Sequence, residues 1–424
     1  MRIGLVNPSS EYKPDKSLSD LVYLNGLAFI NSVLREDGHE VRIVDFKNDP
    51  EADLSSLRDC EIIGLTSYFE SYRAFRQVLP KLKSKDKKIF VGGTLISSYG
   101  LKDNLIMELF PEIDYAVIGE GENTTRELIK HLEGKTDIPP GVIFREGENT
   151  KDFGNGKIVE NLDDIPGINY EHWEAFSKRA TGRAIGLQQT TRGCPNKCSF
   201  CYNLTPKVRS FSISRIERML EDINRLKPRE IFIPDETFTY DKKRAFAITD
   251  RIKQTRIPYA ITTRVDRLDK EMAQHLKDTG CKLMLFGIES FDEQILRRVN
   301  KKISLQGVYD AIKLGQSIGI NTRGFFIVGL PGENNKSIKR TINEIKRTGI
   351  IPQARLLIPL PGTQIYKNLL KKDSINEEEL LMQFSLPEQF DTKYGNWVPI
   401  NLSDGLSDEE LIEARDEINA IGED

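Results

Sequence analysis

Cys194, Cys198 and Cys201 stand at the spacing C-x3-C-x2-C within residues 190–203, TTRGCPNKCSFCYN. Three thiolates within eight residues can fold round one inorganic centre, and such soft ligands suit iron–sulfur clusters and zinc. A structural zinc site wants four ligands, commonly two C-x-x-C-like pairs or a Cys/His set. Here the fourth is missing: the two other cysteines, Cys60 and Cys281, are isolated, and none of the four histidines lies in the loop. Three ligands on a four-iron cluster would leave one iron open to a substrate or cofactor. Gly193 and Pro195 shape a tight loop, and Phe200 and Tyr202 flank the last thiolate with apolar bulk.

This stretch resembles the cluster loop of the radical S-adenosylmethionine (SAM) superfamily. The resemblance implies a [4Fe–4S] cluster on Cys194, Cys198 and Cys201. It also implies SAM chelated to the open iron by its amino and carboxylate groups, and reductive cleavage to methionine and a 5′-deoxyadenosyl radical.

The loop must be carried by a scaffold, and the flanking sequence supplies one. From residue 185 short apolar runs alternate with helical stretches: strands are expected at Ala184–Gln189, Glu230–Pro234, Tyr259–Thr263, Leu283–Gly287, Thr322–Val328 and Ala354–Ile358, with helices such as Ser214–Leu226 and Leu305–Ile318 between them. Six β–α units are too few for a closed eight-unit barrel and suit an open, partial (β/α)6 barrel, the superfamily's fold, with chemistry at the C-terminal strand ends. The motifs there are PDETF with Asp235 and Glu236, TTRVD with Arg264, FGIES with Glu289 and Ser290, VGLPGE with Gly329, and IPLPGT. As SAM contacts, Asp235 or Glu236 would accept from the methionine ammonium, Arg264 or Arg323 would pair with its carboxylate, and Glu289 and Ser290 would bond ribose hydroxyls or methionine. Tyr202 and Gly329 complete the SAM set. No residue is singled out as catalytic acid or base.

Residues 1–140 also alternate strand and helix. The runs Ile3–Val6, Val41–Val44, Ile62–Leu65, Ile89–Val91 and Tyr115–Ile118 are short and β-branched, with amphipathic stretches such as Leu21–Glu36 between them. That pattern predicts a parallel sheet covered on both faces, with ligands beyond its C-terminal edge. The segments GLAFINSVLREDGHEVRIVD, VGGTLISS and DYAVIGEGENTTRELI resemble the cobalamin-binding domain that precedes the radical domain in one large branch of the superfamily. The resemblance implies a Rossmann-like cobalamin-binding domain with contacts at Ser67, Tyr68, Gly92, Gly93, Thr94, Gly119, Glu120 and Gly121. Many such domains carry D-x-H-x-x-G after the first strand, the His ligating cobalt; here the loop reads NPSSEYKP. His39 is expected to be a packed or surface residue, and Tyr68 is the candidate neighbour of the lower cobalt face.

Four parts are expected: a cobalamin-binding domain 1–140, a linker 141–184 broken by Pro and Gly, a partial barrel 185–372 and a helical extension 373–424. The extension carries two acidic helices, Ser374–Gln383 and Asp408–Asn419. Between them Met382, Phe384, Phe390, Tyr394 and Trp397 form an aromatic stretch. With 424 residues and a net charge of −3, no basic footprint for nucleic acid is expected. No apolar run approaches membrane-span length, no signal-peptide pattern is seen, and five cysteines make no disulfide framework; a cytoplasmic protein is expected.

The leading function is a cobalamin-dependent radical SAM C-methyltransferase. The radical removes hydrogen from an unactivated carbon, methylcobalamin supplies the methyl, and both cofactors face one cavity. Its substrate would be a small molecule, a peptide or a protein side chain, and its electron donor a carrier such as ferredoxin or flavodoxin. A cyclisation, ring contraction or oxidation by the same cofactors is a second reading. A non-catalytic cobalamin carrier or sensor is a third.

Overall fold

The computed structural model describes residues 1–8, 22–23, 26–99, 105–147, 149–154, 156–187, 189–371, 380 and 400–422. The chain divides into two compact units, residues 1–181 with 370–387, and residues 182–369 with 388–424.

In the first unit five parallel strands form a sheet: β1 (Arg2–Asn7), β2 (Glu40–Asp45), β3 (Ile62–Thr66), β4 (Lys88–Gly92) and β5 (Tyr115–Val117), in the order β2-β1-β3-β4-β5. Ile3, Leu5, Val6, Ile63, Leu65, Ile89 and Val91 are buried, as a sheet covered on both faces requires. The order reverses between β1 and β3, the switch point where doubly wound sheets open a crevice at their C-terminal edge. The helix expected at Leu21–Glu36 occupies Leu27–Glu36.

The stretch 141–184, expected to be a linker without regular structure, extends this sheet. Strands β6 (Val142–Glu146) and β7 (Asn149–Asp152) pair antiparallel with β5 and with each other. Val142 and Ile143 are buried, so a short apolar pair and a Gly147 turn suffice for a hairpin where the prolines and glycines around it suggested a coil. Further along, the Trp173 indole donates to Asp45, whose carboxylate also takes Asn7 Nδ2 (2.7 Å) and Asn48 Nδ2 (2.6 Å). That buried network pins the ends of β1 and β2.

In the second unit six parallel strands follow one another in space as in sequence: β8 (Ala184–Gly186), β9 (Glu230–Ile233), β10 (Tyr259–Thr263), β11 (Cys281–Glu289), β12 (Asn321–Val328) and β13 (Ile351–Leu356). This is the half-barrel expected from the sequence. Helices lie between the strands, and Ser212, Asp241, Asp269, Ser304 and Asn334 cap their N-termini through side-chain oxygens.

The helix expected at Asp408–Asn419 is present as Asp408–Ala420, capped by Ser407 and Glu410 in a reciprocal box. It packs along β13, where Asn419 accepts from the Ala354 backbone N–H (2.7 Å) and donates to the Ala354 carbonyl (3.1 Å). The expected helix Ser374–Gln383 and the aromatic stretch Met382–Trp397 lie outside the described residues, Leu380 excepted, as does the loop after β1 beyond Pro8.

Candidate active site

The cysteine loop leaves β8 and is anchored at its base by Asp235, one residue past Pro234 at the end of β9. Asp235 is fully buried and takes four hydrogen bonds: from the Thr190 N–H and hydroxyl (both 2.6 Å), the Thr191 N–H (3.4 Å) and the Thr191 hydroxyl (2.9 Å). Burial raises its pKa, and these four donors pull the other way. Arg244 Nη2 donates to the Thr190 carbonyl (2.9 Å). The expected SAM contact Asp235 therefore spends its oxygens on the root of the cysteine loop.

Beyond that root Gly193 turns with φ +93°, and a Cβ there would lie 2.3 Å from the Lys207 carbonyl oxygen, so only glycine lets the two arms of the loop close. The Cys194 N–H donates to the Thr205 carbonyl (3.3 Å), and Asn203 Nδ2 donates to the Cys194 carbonyl. Asn196 Nδ2 lies 3.3 Å from Cys194 Sγ, and the Cys201 N–H closes a turn onto the Cys198 carbonyl (3.1 Å). Among the described residues no three His, Cys, Asp or Glu side chains converge tightly enough to hold a single metal ion. Cys60 and Cys281 are buried elsewhere.

Burial raises the Cys198 thiol, and burial with the two neighbouring thiols raises Cys201 to about 12. Cys201 is nonetheless exposed by surface area. Coordination to iron would override the shift, because a metal deprotonates its thiol ligand.

A second anchor comes from the turn Val299–Lys302, which sequence reasoning did not single out. The Ser199 N–H donates to the Val299 carbonyl (2.9 Å), and Asn300 Nδ2 donates to the Lys197 carbonyl (2.6 Å). Lys301 Nζ forms an ion pair with Glu289 Oε1 at 2.6 Å, both side chains being over nine-tenths buried, and sits 5.9 Å from the Phe200 ring centroid. Glu289 adopts φ +73° at a register shift between β11 and β12, a conformation a non-glycine residue holds only when its surroundings enforce it. Gly287 makes room: a Cβ there would lie 2.9 Å from both Glu289 Oε1 and Lys301 Nζ. The signal available in sequence was a lysine twelve positions after the FGIES glutamate, which nothing but the fold brings back.

The other predicted residues divide. Arg264, buried at the end of β10, is bound by Asp266 through two hydrogen bonds (2.9 and 3.1 Å) and by the carbonyls of Lys301 (3.2 Å) and Lys302 (3.4 Å). Ser290 turns away to the Thr341 hydroxyl (3.3 Å) and the Asp292 N–H. Arg323 lies on the face of β12 opposite Thr322, whose methyl faces the helix carrying Gly315. Gly329 turns with φ +93° and donates to Glu333 Oε2 (2.6 Å), which also takes the Leu330 N–H (3.3 Å). Glu333 was missed as a separate group. Burial raises its carboxyl to about 7. Glu236 projects from the end of β9, takes Gln189 Nε2 at 3.3 Å, and is likewise raised to about 7, chiefly by desolvation, although its side chain reaches solvent. Burial raises the Tyr202 phenol to about 12.

In the first unit the expected cobalamin contacts gather at the C-terminal ends of β3, β4 and β5. Ser67 is fully buried and donates through N–H (2.8 Å) and hydroxyl (2.9 Å) to the Gly92 carbonyl. Gly93, at φ +109°, would carry a Cβ 2.4 Å from the Ser67 carbonyl oxygen. Its glycine is therefore demanded by the chain itself, ahead of any ligand. Glu120 is bound to the Val159 N–H (2.7 Å), and a Cβ on Gly121 would meet Ile30 at 3.2 Å. Gly92 and Gly119 differ. A Cβ on Gly92 finds only Val117, at 3.7 Å, and one on Gly119 finds nothing within 4 Å. These two positions stand at the strand ends beside half-buried Tyr68 and exposed Thr94. His39 precedes β2, at the opposite edge of the sheet, with Nδ1 3.5 Å from the N-terminal amine.

Comparison with known proteins bears on both units. A family model described as the radical SAM superfamily matches residues 189–345, and one described as a B12 binding domain matches residues 19–129. An uncharacterised methyltransferase of Pyrococcus horikoshii is 30% identical over 383 residues, spanning 87% of this chain and 83% of the relative. The hopanoid C-3 methylase of Methylococcus capsulatus is 28% identical, spanning 80% of this chain and 67% of the relative. The solved structure of the radical SAM methyltransferase TsrM from Kitasatospora setae, with cobalamin and [4Fe–4S] cluster bound, superposes with a TM-score of 0.70 at 18% identity, over 88% of this chain and 78% of that one. At that identity the likeness is one of fold.

Proposed function

Because the chain belongs to the family of cobalamin-dependent radical SAM methyltransferases, we propose that it methylates a carbon of a small molecule, peptide or protein side chain, using a [4Fe–4S] cluster, SAM and cobalamin. When bound, the cluster and SAM supply a hydrogen-abstracting radical and the corrinoid supplies the methyl group. The observation that carries this reading is a three-thiol loop with no fourth ligand, braced by Asp235 at its root and by the Val299–Lys302 turn on its far side.

In this reading Cys194, Cys198 and Cys201 hold the cluster. Glu289, fixed by Lys301, and Glu236, at the end of β9, face SAM. Arg264 sets the position of the Val299–Lys302 turn. Tyr68, Gly92, Thr94 and Gly119 would border the corrinoid, and the loop NPSSEYKP after β1 offers it no histidine. No described helix is long and apolar enough to cross a membrane. Free thiols and a reducible cluster suit the cytoplasm, where a carrier such as ferredoxin or flavodoxin would deliver electrons.

Product stoichiometry tests the assignment. One SAM leaves as S-adenosylhomocysteine after methyl donation and another as methionine and 5′-deoxyadenosine, so the two coproducts should appear in equal amounts and match the methylated product. The substrate is sought by mass spectrometry of cells with and without the gene, for one added CH2. Turnover that yields 5′-deoxyadenosine with no S-adenosylhomocysteine, and no label from methyl-labelled SAM in the product, would falsify methyl transfer. It would leave the ring closure seen in the name of another relative, an anaerobic magnesium-protoporphyrin IX monomethyl ester cyclase of Synechocystis, 25% identical over 74% of this chain and 66% of that one.

A further inference from the structure

The segment Gly182–Ile216 contains six Lys or Arg residues and no Asp or Glu, in a chain that has 64 acidic residues among 424. At the chain's average frequency about five acids would be expected in such a length. The run is centred on the three cysteines. Arg209 and Arg215 are buried within it, whereas Lys197 and Lys207 are exposed, on either arm of the loop. Exposed Lys302 ends the turn that bonds Lys197, and exposed Arg267 lies over the Tyr240 ring with its guanidinium 5.1 Å from the centroid.

Among these cations stand exposed apolar side chains. Among the described residues of the second unit, the exposed large hydrophobic side chains are Leu204 (43%) and Tyr240 (39%), and both stand beside the cysteine loop. Tyr240, Pro195, Val208 and Cys194 line one shallow depression together with Thr191, Gly193 and Thr237, and Leu204 adjoins Thr205, which bonds Cys194. An apolar centre with a charged rim is the anatomy of a protein interface.

We infer that the face formed by Pro195, Lys197, Leu204, Lys207 and Tyr240 is the docking surface of a small acidic one-electron carrier protein, resting on the assignment of a cluster to Cys194, Cys198 and Cys201. The carrier gives up one electron and the cluster gains it; no atom is transferred. The rim complements an acidic partner and steers its approach, and the apolar centre seats it over the thiols.

The test uses the anaerobically reconstituted enzyme and follows cluster reduction by stopped-flow absorbance. Two donors are compared: reduced flavodoxin, an acidic protein, and photoreduced deazariboflavin, a small uncharged one. In the Lys207→Glu/Arg267→Glu variant the second-order rate with flavodoxin falls roughly ten- to hundred-fold at low ionic strength, and the gap narrows as salt screens it. The rate with deazariboflavin stays at the wild-type value. Leu204→Ser slows flavodoxin without altering the salt dependence. Equal flavodoxin rates in variant and wild type overturn the inference, as does an equal loss with both donors. So does salt-dependent binding of a tRNA mixture that the charge reversal abolishes while the flavodoxin rate stays unchanged. A wild-type protein that assembles no cluster at all refutes the cluster assignment itself, a result distinguishable from these.

Discussion

Glu333 offers the sharpest test of the electrostatics. Its carboxyl is 2% exposed, accepts the Gly329 and Leu330 N–H groups, and is raised from 4.5 to about 7, first by desolvation. The shift of roughly 2.5 units corresponds to about 3 kcal/mol at about 1.4 kcal/mol per unit. The sign follows from linkage: below pH 4.5 folded and unfolded states are both protonated. Between 4.5 and 7 the unfolded chain ionises first and stability falls, and above 7 the full cost is present. Glu333→Gln keeps an oxygen for the two N–H donors and removes the ionisation. The variant should match wild type near pH 4 and exceed it by up to about 3 kcal/mol near pH 8.5. Because the chain has two units, a single melting temperature is a poor measure. Hydrogen exchange of the peptide spanning residues 324–334 gives the local opening free energy instead. Isotope-edited infrared spectroscopy should show a protonated glutamic acid at pH 6 that is lost by pH 8. A difference between variant and wild type that stays flat across this range would refute the reasoning.

Three further outcomes follow from the same geometry. Lys301→Met strands a buried Glu289 and should cost about 3–5 kcal/mol, while Lys301→Met/Glu289→Leu should recover most of it; a double-mutant cycle by denaturant unfolding with no coupling energy would contradict the pair. Asp235→Ala leaves the Thr190 and Thr191 donors without their acceptor and should lower the iron retained after reconstitution, at a stability cost of about 1–3 kcal/mol or more; full iron content would show that the loop holds its shape unaided. Gly93→Ala should destabilise the first unit even without corrinoid, because its Cβ meets Ser67, whereas Gly92→Ala should not; equal stability of the two would count against the close packing at Gly93.

The half-barrel was legible because six runs of apolar residues separated by helical stretches leave few alternatives, and the cysteine loop because its chemistry is local in sequence. The strand-end motifs were legible as positions but not as roles. Asp235, Ser290 and Arg264 occupy the expected strand ends, yet the fold commits their polar atoms to Thr190, Thr341 and Asp266. Whether a carboxylate faces a ligand or its own chain depends on backbone direction at one residue, which periodicity does not encode. Lys301 was invisible for the converse reason: it lies in a polar turn, NKK, and acquires meaning only because positive φ at Asn300 and Lys302 swings it back onto Glu289. The β6–β7 hairpin was hidden by the prolines and glycines around it, although its apolar pair is short and plain.

The outer edge of β13 has a consequence for handling the protein. Leu357 N–H bonds back to Val328, so the alternate residues 352, 354 and 356 present their backbone to the free side. Pro352 has no N–H to offer, and Asn419 occupies both polar groups of Ala354. An open parallel sheet would otherwise present a template on which a second molecule could add a strand. The terminal helix therefore serves as a guard against aggregation. A chain truncated before residue 408 should keep the cysteine loop but associate through β13, and Asn419→Leu should show the same tendency in milder form by light scattering.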